Sequence, residues 1–114
     1  QLAKLYDKLL PKEKIQIPVV HKNASPVYHQ YVIRTKKRDA LKKYLERHRI
    51  RTQIHYRYPV HLQPNYRKYG DRKALSSTEK VCSEIMSLPI YPGLKEKEVC
   101  QISRVISTWA QRHL

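Results

Sequence analysis

Apolar positions recur along this chain in helical and strand-like rhythms, divided by prolines and polar turns. Residues 1–10 place Leu2, Leu5 and Leu9 at i, i+3 and i+7, the stripe of a short amphipathic helix that Pro11 ends. Residues 12–20 read as extended, charged first and then apolar at Ile15, Ile17, Val19 and Val20. Pro18 cannot donate to a ladder, which makes this stretch an edge or a linker. A turn at 23–26 leads into the strongest strand pattern, residues 27–35. There Val27, His29, Tyr31 and Ile33 fall on one face and Tyr28, Gln30, Val32 and Arg34 on the other. After the basic run 34–38, which reads as a solvated turn, Asp39 opens a helix. Its core stripe is Leu41, Tyr44, Leu45 and His48.

Residues 49–56 alternate again, with Thr52, Ile54 and Tyr56 on one side and Arg51, Gln53 and His55 on the other. A ring-rich loop follows, through Tyr66 to Gly70. Ser76 and Glu79 have capping-box spacing, and the helix they start carries Val81, Cys82, Ile85 and Met86 and stops before Pro89. Residues 88–93 form a short extended piece and turn. A last helix from about Lys95 aligns Val99, Ile102, Ile106 and Trp109, with Trp109 in the core. There is no internal repeat. The order predicts one two-layer α+β domain over residues 1–114, a small sheet covered on one face by helices. The strand–helix–strand unit 27–56 is expected in that sheet, with its other face open or against a partner.

Composition fits a folded, soluble chain: 40% hydrophobic, 29% charged, nine Tyr and no Phe. No apolar run approaches the ~20 residues that span a bilayer, and nothing resembles a signal peptide. The chain opens on Gln1 and not on Met, as a fragment or processed product would. Cys82 and Cys100 fit no zinc or redox spacing and read as reduced, partly buried thiols of a cytoplasmic protein, although one disulfide between them stays open. The net charge is +15, and residues 34–73 carry fourteen basic side chains against three acidic ones. Such a field favours phosphates, nucleic acid or an acidic protein face.

The segment running from Ile54 through His55, Tyr56, Arg57, Tyr58, Pro59, Val60, His61, Leu62 and Gln63 to Pro64 carries the candidate chemistry. Its prolines remove donors and hold neighbouring residues extended, giving a stiff, shaped loop at a strand end, where binding groups concentrate. The plainer reading is that the rings pack the loop onto its own domain. His55 and His61 lack a third clustered ligand, so no metal site is assigned.

Three stretches together carry a family resemblance. The first is Tyr28, His29, Gln30, Tyr31, Val32, Ile33 and Arg34 with Arg38, Asp39 and Leu45. The second is Ile50, Thr52, Ile54, His55, Tyr56, Pro59, His61, Leu62, Gln63, Pro64 and Tyr66. The third is Glu79 with Ser87, Leu88, Pro89, Ile90, Tyr91, Pro92, Gly93 and Leu94. In order and spacing they resemble the C-terminal part of the DegT/DnrJ/EryC1/StrS family of pyridoxal-phosphate sugar aminotransferases. The resemblance implies the small domain of a fold-type-I enzyme that forms homodimers and moves an amino group, usually from glutamate, onto a nucleotide-diphosphate sugar. Some relatives are dehydratases. Residues 1–22 would then be a helix and linker toward a large domain and 23–114 the small-domain core. The family's Schiff-base lysine and phosphate-binding loop belong to the large domain, so no catalytic residue, no bound cofactor and no activity are expected of this chain alone. The sequence departs from the pattern at Arg49 and Arg51, where glycines are common, at Arg57 for proline, and at Lys95 for a capping hydroxyl.

The resemblance places His55 and Tyr56 beside the substrate pocket. Imidazole can donate to a sugar hydroxyl or phosphate, and a phenol can do so while its ring packs on the sugar. Tyr58, His61 and Arg34 are further substrate-binding candidates. Against them stand a structural histidine under the loop, outward-turned loop residues and a solvent-facing arginine. A second functional class is a stand-alone basic module for nucleic acid or another polyanion. In it Tyr56, Tyr58, Tyr66 and Tyr69 would stack on bases among Arg57, Arg67 and Lys68. It has no recognised nucleic-acid motif, and sequence-specific binding is not expected.

Overall fold

Strand β1 (Tyr31–Arg34) runs antiparallel to β2 (Ile85–Leu88), with Tyr31 opposite Leu88, Val32 opposite Ser87, Ile33 opposite Met86 and Arg34 opposite Ile85. This is a computed structural model, and it describes residues 1–69 and 75–114. The loop's expected end at Gly70 lies outside the described residues. Because side chains alternate along a strand, the register gathers Tyr31, Ile33, Met86 and Leu88 on one face, and all four are buried. A single antiparallel bridge flanks each strand, Gln16 with Arg34 and Gln53 with Ser87. The order in space is therefore Gln16, β1, β2, Gln53.

This corrects the expected sheet. The segments 27–35 and 49–56 share the ribbon, but β2 lies between them and each is shorter than its alternation suggested. Tyr28 has φ 49°, a left-handed turn that breaks the first strand before Tyr31 and leaves Val27 almost fully exposed. Only Gln53 of the second segment pairs.

Four α-helices stand among the described residues: α1 (Leu2–Leu9), α2 (Arg38–Arg47), α3 (Ser76–Glu84) and α4 (Glu96–His113). Helices α1, α2 and α4 share one core with the inner sheet face, giving the two-layer α+β arrangement. Val99, Ile102, Ile106 and Trp109 of α4 are buried as their spacing predicts. The buried stripe of α1 is different: Ala3, Tyr6 and Leu10 are inside, Leu2 and Leu5 only partly, and Leu9 is exposed. Tyr6 wins the core position because both parts of its side chain are satisfied there. Its ring lies 4.8 Å from that of Tyr31, and its hydroxyl donates to the Pro89 carbonyl at 2.9 Å. Tyr31 in turn donates to Asp7 at 2.6 Å. Burial raises the pKa of both phenols, helped at Tyr31 by Asp7, so both stay protonated donors.

Helix α2 buries Leu41 and Leu45, but His48 is exposed. Its ring sits 4.3 Å from that of Tyr44, and Nδ1–H donates to the Tyr44 carbonyl at 2.9 Å. The chain then leaves in a Schellman turn. Ile50 N–H bonds Leu45 O at 3.0 Å, Arg49 N–H bonds Glu46 O at 2.9 Å, and Ile50 is buried with Leu45 in the core. The residue that must turn left-handed is Arg49, with φ 60°.

The boundary of α3 differs most from expectation. Ser76 is already helical and makes no cap bond, while Glu79 accepts from His61 instead of closing a capping box. The helix stops at Glu84, so Ile85 and Met86 belong to β2. The stop is made by groups from the other side of the ribbon. Arg38 Nη1 donates to Cys82 O at 3.1 Å and Ile85 O at 3.0 Å, Thr35 N–H donates to Glu84 O at 3.0 Å, and Arg34 Nε meets Glu84 Oε2 at 2.6 Å. The Arg38 and Thr35 bonds satisfy carbonyls at the helix end and just beyond it, and Arg34 pairs with the Glu84 carboxylate. The run 34–38 is thus only in part the expected solvated turn: Lys36 and Lys37 are exposed, but Arg38 is 4% exposed. At α4, Glu98 Oε2 accepts the Lys95 N–H at 2.8 Å, half of a capping box whose other half an ammonium cannot supply. Cys82 is partly buried, Cys100 exposed, and both are free thiols.

Two stability effects are expected. Arg49→Gly relieves a left-handed non-glycine residue and should stabilise by about 1 kcal/mol, raising Tm by roughly 4 °C. A lower Tm would contradict the strain. Arg38→Met strands two carbonyls at the α3 end and should cost about 3 kcal/mol in urea unfolding. A loss below about 1 kcal/mol would show that the helix stop does not need it.

Candidate functional site

The ring-rich segment leaves the sheet through His55. Two residues earlier, Gln53 and Ser87 exchange backbone bonds of 3.2 and 2.8 Å, which fixes the chain against β2. Ser87 is buried on the strand face opposite to Met86 and Leu88, and its Oγ lies 2.9 Å from His55 Nδ1. The half-buried imidazole is therefore held at one nitrogen, with Nε2 left for other work. The Tyr56 ring stands edge-on, 5.8 Å from the His55 ring, and the peptide joining the two residues is cis.

Beyond His55 the loop is partly packed and partly open. Pro59 and His61 are buried, and His61 Nε2 lies 3.1 Å from Glu79 Oε1 on α3. Short 3-10 turns at Val60–Leu62 and Arg67–Tyr69 and a 3.0 Å bond from Arg67 Nε to Leu62 O hold its shape. The rings go the other way: Tyr56 is 71% exposed and Tyr58 63%, with Tyr66 and Tyr69 also outside. The histidine and proline pin the loop down, and the tyrosines are presented.

Beside His55 lies a cleft of about 650 Å³. Its wall includes Arg49, Arg51, Gln53 and Ser87, with Leu94, Glu98 and Gln101 from around the start of α4. Of the sequence candidates, only His55 lines it. Tyr56 and Tyr58 stand on the loop next to it, His61 is under the loop, and Arg34 is tied to Glu84. Ser87, Arg49 and Arg51 are among the wall residues that were not singled out as binding groups. The signal was present for the arginines, which stand where glycine is common in the resembling family.

No lysine lines this cleft, and every lysine among the described residues is exposed except Lys42, which pairs with Glu46. The walls therefore do not fit the imine-forming role that pyridoxal phosphate requires. Among the described residues no three His, Cys, Asp or Glu side chains group as metal ligands, and no helix is long and apolar enough to cross a membrane.

Residues 1–107 match the DegT/DnrJ/EryC1/StrS aminotransferase family. The chain is 33% identical over 99 residues to the dTDP-3-amino-3,4,6-trideoxy-alpha-D-glucose transaminase of Streptomyces venezuelae, covering 86% of this chain and 26% of that protein. It is 42% identical over 73 residues to the pleiotropic regulatory protein of Geobacillus stearothermophilus, covering 63% and 20%. In three dimensions it resembles DesV of Streptomyces venezuelae, solved with a ketimine intermediate, with TM-score 0.91 and 33% identity over 97% of this chain and 30% of that one. The chain thus spans less than a third of the length of these relatives.

The tie between His61 and Glu79 has a local consequence. Losing one hydrogen bond to a charged group costs about 1.5 kcal/mol or more, so His61→Ala should speed amide exchange of Leu62, Gln63 and Arg67 about tenfold. Exchange in β1 and β2 should stay unchanged. Uniform acceleration throughout the chain would mean that His61 supports the whole fold and not the loop.

Proposed function

The chain belongs to the DegT/DnrJ/EryC1/StrS aminotransferase family, and from that premise we propose that it is the small C-terminal domain of a pyridoxal-phosphate-dependent nucleotide-sugar aminotransferase. Residues 1–22 lead from the large domain and 23–114 form the small-domain core. Its task is to wall the substrate side of the active site of a cytoplasmic homodimer that takes glutamate and a nucleotide-diphosphate sugar. The observation that supports this reading is the fixed His55, braced by Ser87 Oγ at 2.9 Å, with Tyr56 and Tyr58 exposed beside it.

Pyridoxal phosphate supplies the electron sink when bound, and the residues that hold it are assigned to the large domain. This chain contributes orientation. His55 Nε2 can bond a sugar hydroxyl or phosphate oxygen, and the Tyr56 phenol can do the same while its ring covers sugar carbons. Ser87 is a positioning residue that acts through His55.

In the full-length enzyme, His55→Ala or Tyr56→Ala should lower kcat/KM for the sugar half-reaction roughly ten- to hundredfold, since one hydrogen bond to a charged or developing charge is worth about 1.5–3 kcal/mol. The glutamate half-reaction should change little, because a small amino acid does not reach this rim. Both are followed by the absorbance of the bound cofactor. Equal losses in both half-reactions, or none in either, would assign these residues to loop packing alone.

A further inference from the structure

After its bridge with Arg34 the chain leaves the ribbon at once. Gln16 and Arg34 exchange backbone bonds of 3.0 and 2.8 Å, and the same register would set Pro18 opposite Val32. Pro18 has no N–H to donate, and no backbone bond joins it to Val32. Val32 turns its N–H and C=O away from β2, so neither has a hydrogen-bond partner among the described residues. Between the diverging segments 18–20 and 26–32 lies a groove of about 670 Å³. On its wall Val19 is 88% exposed and Val27 94%.

The groove adjoins a second cleft. The two share Pro26, Val27 and Tyr28, and the second adds Gln1, Leu2 and the exposed Tyr91. No residue lining either one is Asp, Glu, Lys or Arg, in a chain that is 29% charged. Single exposed apolar side chains are ordinary on a protein surface, but a continuous face depleted of charge has the composition of an interface core. His29, Ile90 and Tyr91 carry the face on to the cleft beside His55, whose wall they also line.

We propose that the rest of the protein, the large domain ahead of residue 1, packs on this face through Val19, Val20 and Val27. The inference rests on the small-domain reading and adds to it the surface of contact. The chain spans 26% of the Streptomyces venezuelae transaminase and 30% of DesV, so more than two-thirds of a protein of that size lies outside it. Gln1, the point where that part would join, stands on the rim of the same face. A second copy of this chain is the poorer occupant, because it brings another net charge of +15 to the contact. Docked here, the large domain also stands at the side of the His55 cleft that His29, Ile90 and Tyr91 share with this face.

The test compares amide hydrogen exchange in the full-length protein and in the 114-residue chain, both without substrate. The N–H groups of Val19, Val20, Val27 and Tyr28 have no hydrogen-bond partner among the described residues. They should exchange at least about tenfold more slowly in the full-length protein. A double variant, Val19→Asp with Val27→Asp, supplies the second arm. In the 114-residue chain these exposed side chains should shift Tm by less than about 2 °C. In the full-length protein the pair should abolish the protection at Val20 and Tyr28 while exchange in β1 and β2 stays unchanged. Equal exchange in the two proteins, or protection that survives both substitutions, would overturn the proposal. Protection that appears in the 114-residue chain as its concentration rises would assign the face to a second copy and overturn it too. No measurement here needs turnover, so the surface can fail while the sugar half-reaction still responds to His55→Ala, and the half-reaction can fail while the protection stands.

Discussion

The end of α3 is the constraint on which the sheet and the cleft both depend. A helix end leaves carbonyls without partners, and here Arg38 and Thr35 meet those of Cys82, Glu84 and Ile85. Once they are satisfied, Ile85 can turn extended at once, with no glycine or proline to force it. Strand β2 then pairs with β1 on one side and with Gln53 on the other. Arg38 bears most of this because it is buried, whereas its carboxylate partner Asp39 is largely exposed and adds little on its own.

The same strand carries the site. Met86 and Leu88 face the core, and Ser87 between them faces the other way, where its hydroxyl meets His55. One strand residue therefore converts the alternation of a packed sheet into the placement of an imidazole. The loop beyond is held by the contact of its His61 with Glu79 of α3. Its exposed tyrosines are displayed by a frame whose polar contacts are already made.

Charge is distributed in a way that the total conceals. Of the basic residues between 34 and 73, Arg34 and Arg38 are structural, and Arg67 holds its own loop. Arg49 and Arg51 keep their guanidinium groups free on the cleft wall. The net charge of +15 is thus no uniform field. Part of it is spent inside the ribbon, and the cleft draws on what is left.

Long, strongly periodic segments were legible in the sequence: α4 with its stripe ending at Trp109, α2 with Leu41 and Leu45, and the Tyr31–Ile33 alternation. Such faces repeat often enough that only one period fits. The ring-rich loop and its family likeness could also be read, because turn prolines and rings act locally. Tertiary structure decided the rest. Ile85 and Met86 suit a helix or a strand, and only carbonyl capture by residues almost fifty positions away chose the strand. Tyr6 displaced the leucines of α1 because Tyr31 and Pro89 were there to meet its ring and hydroxyl. The cleft was invisible for the same reason: Arg49, Arg51 and Gln101 become neighbours only when α2, β2 and α4 pack, and no local pattern encodes a contact that long-range burial creates.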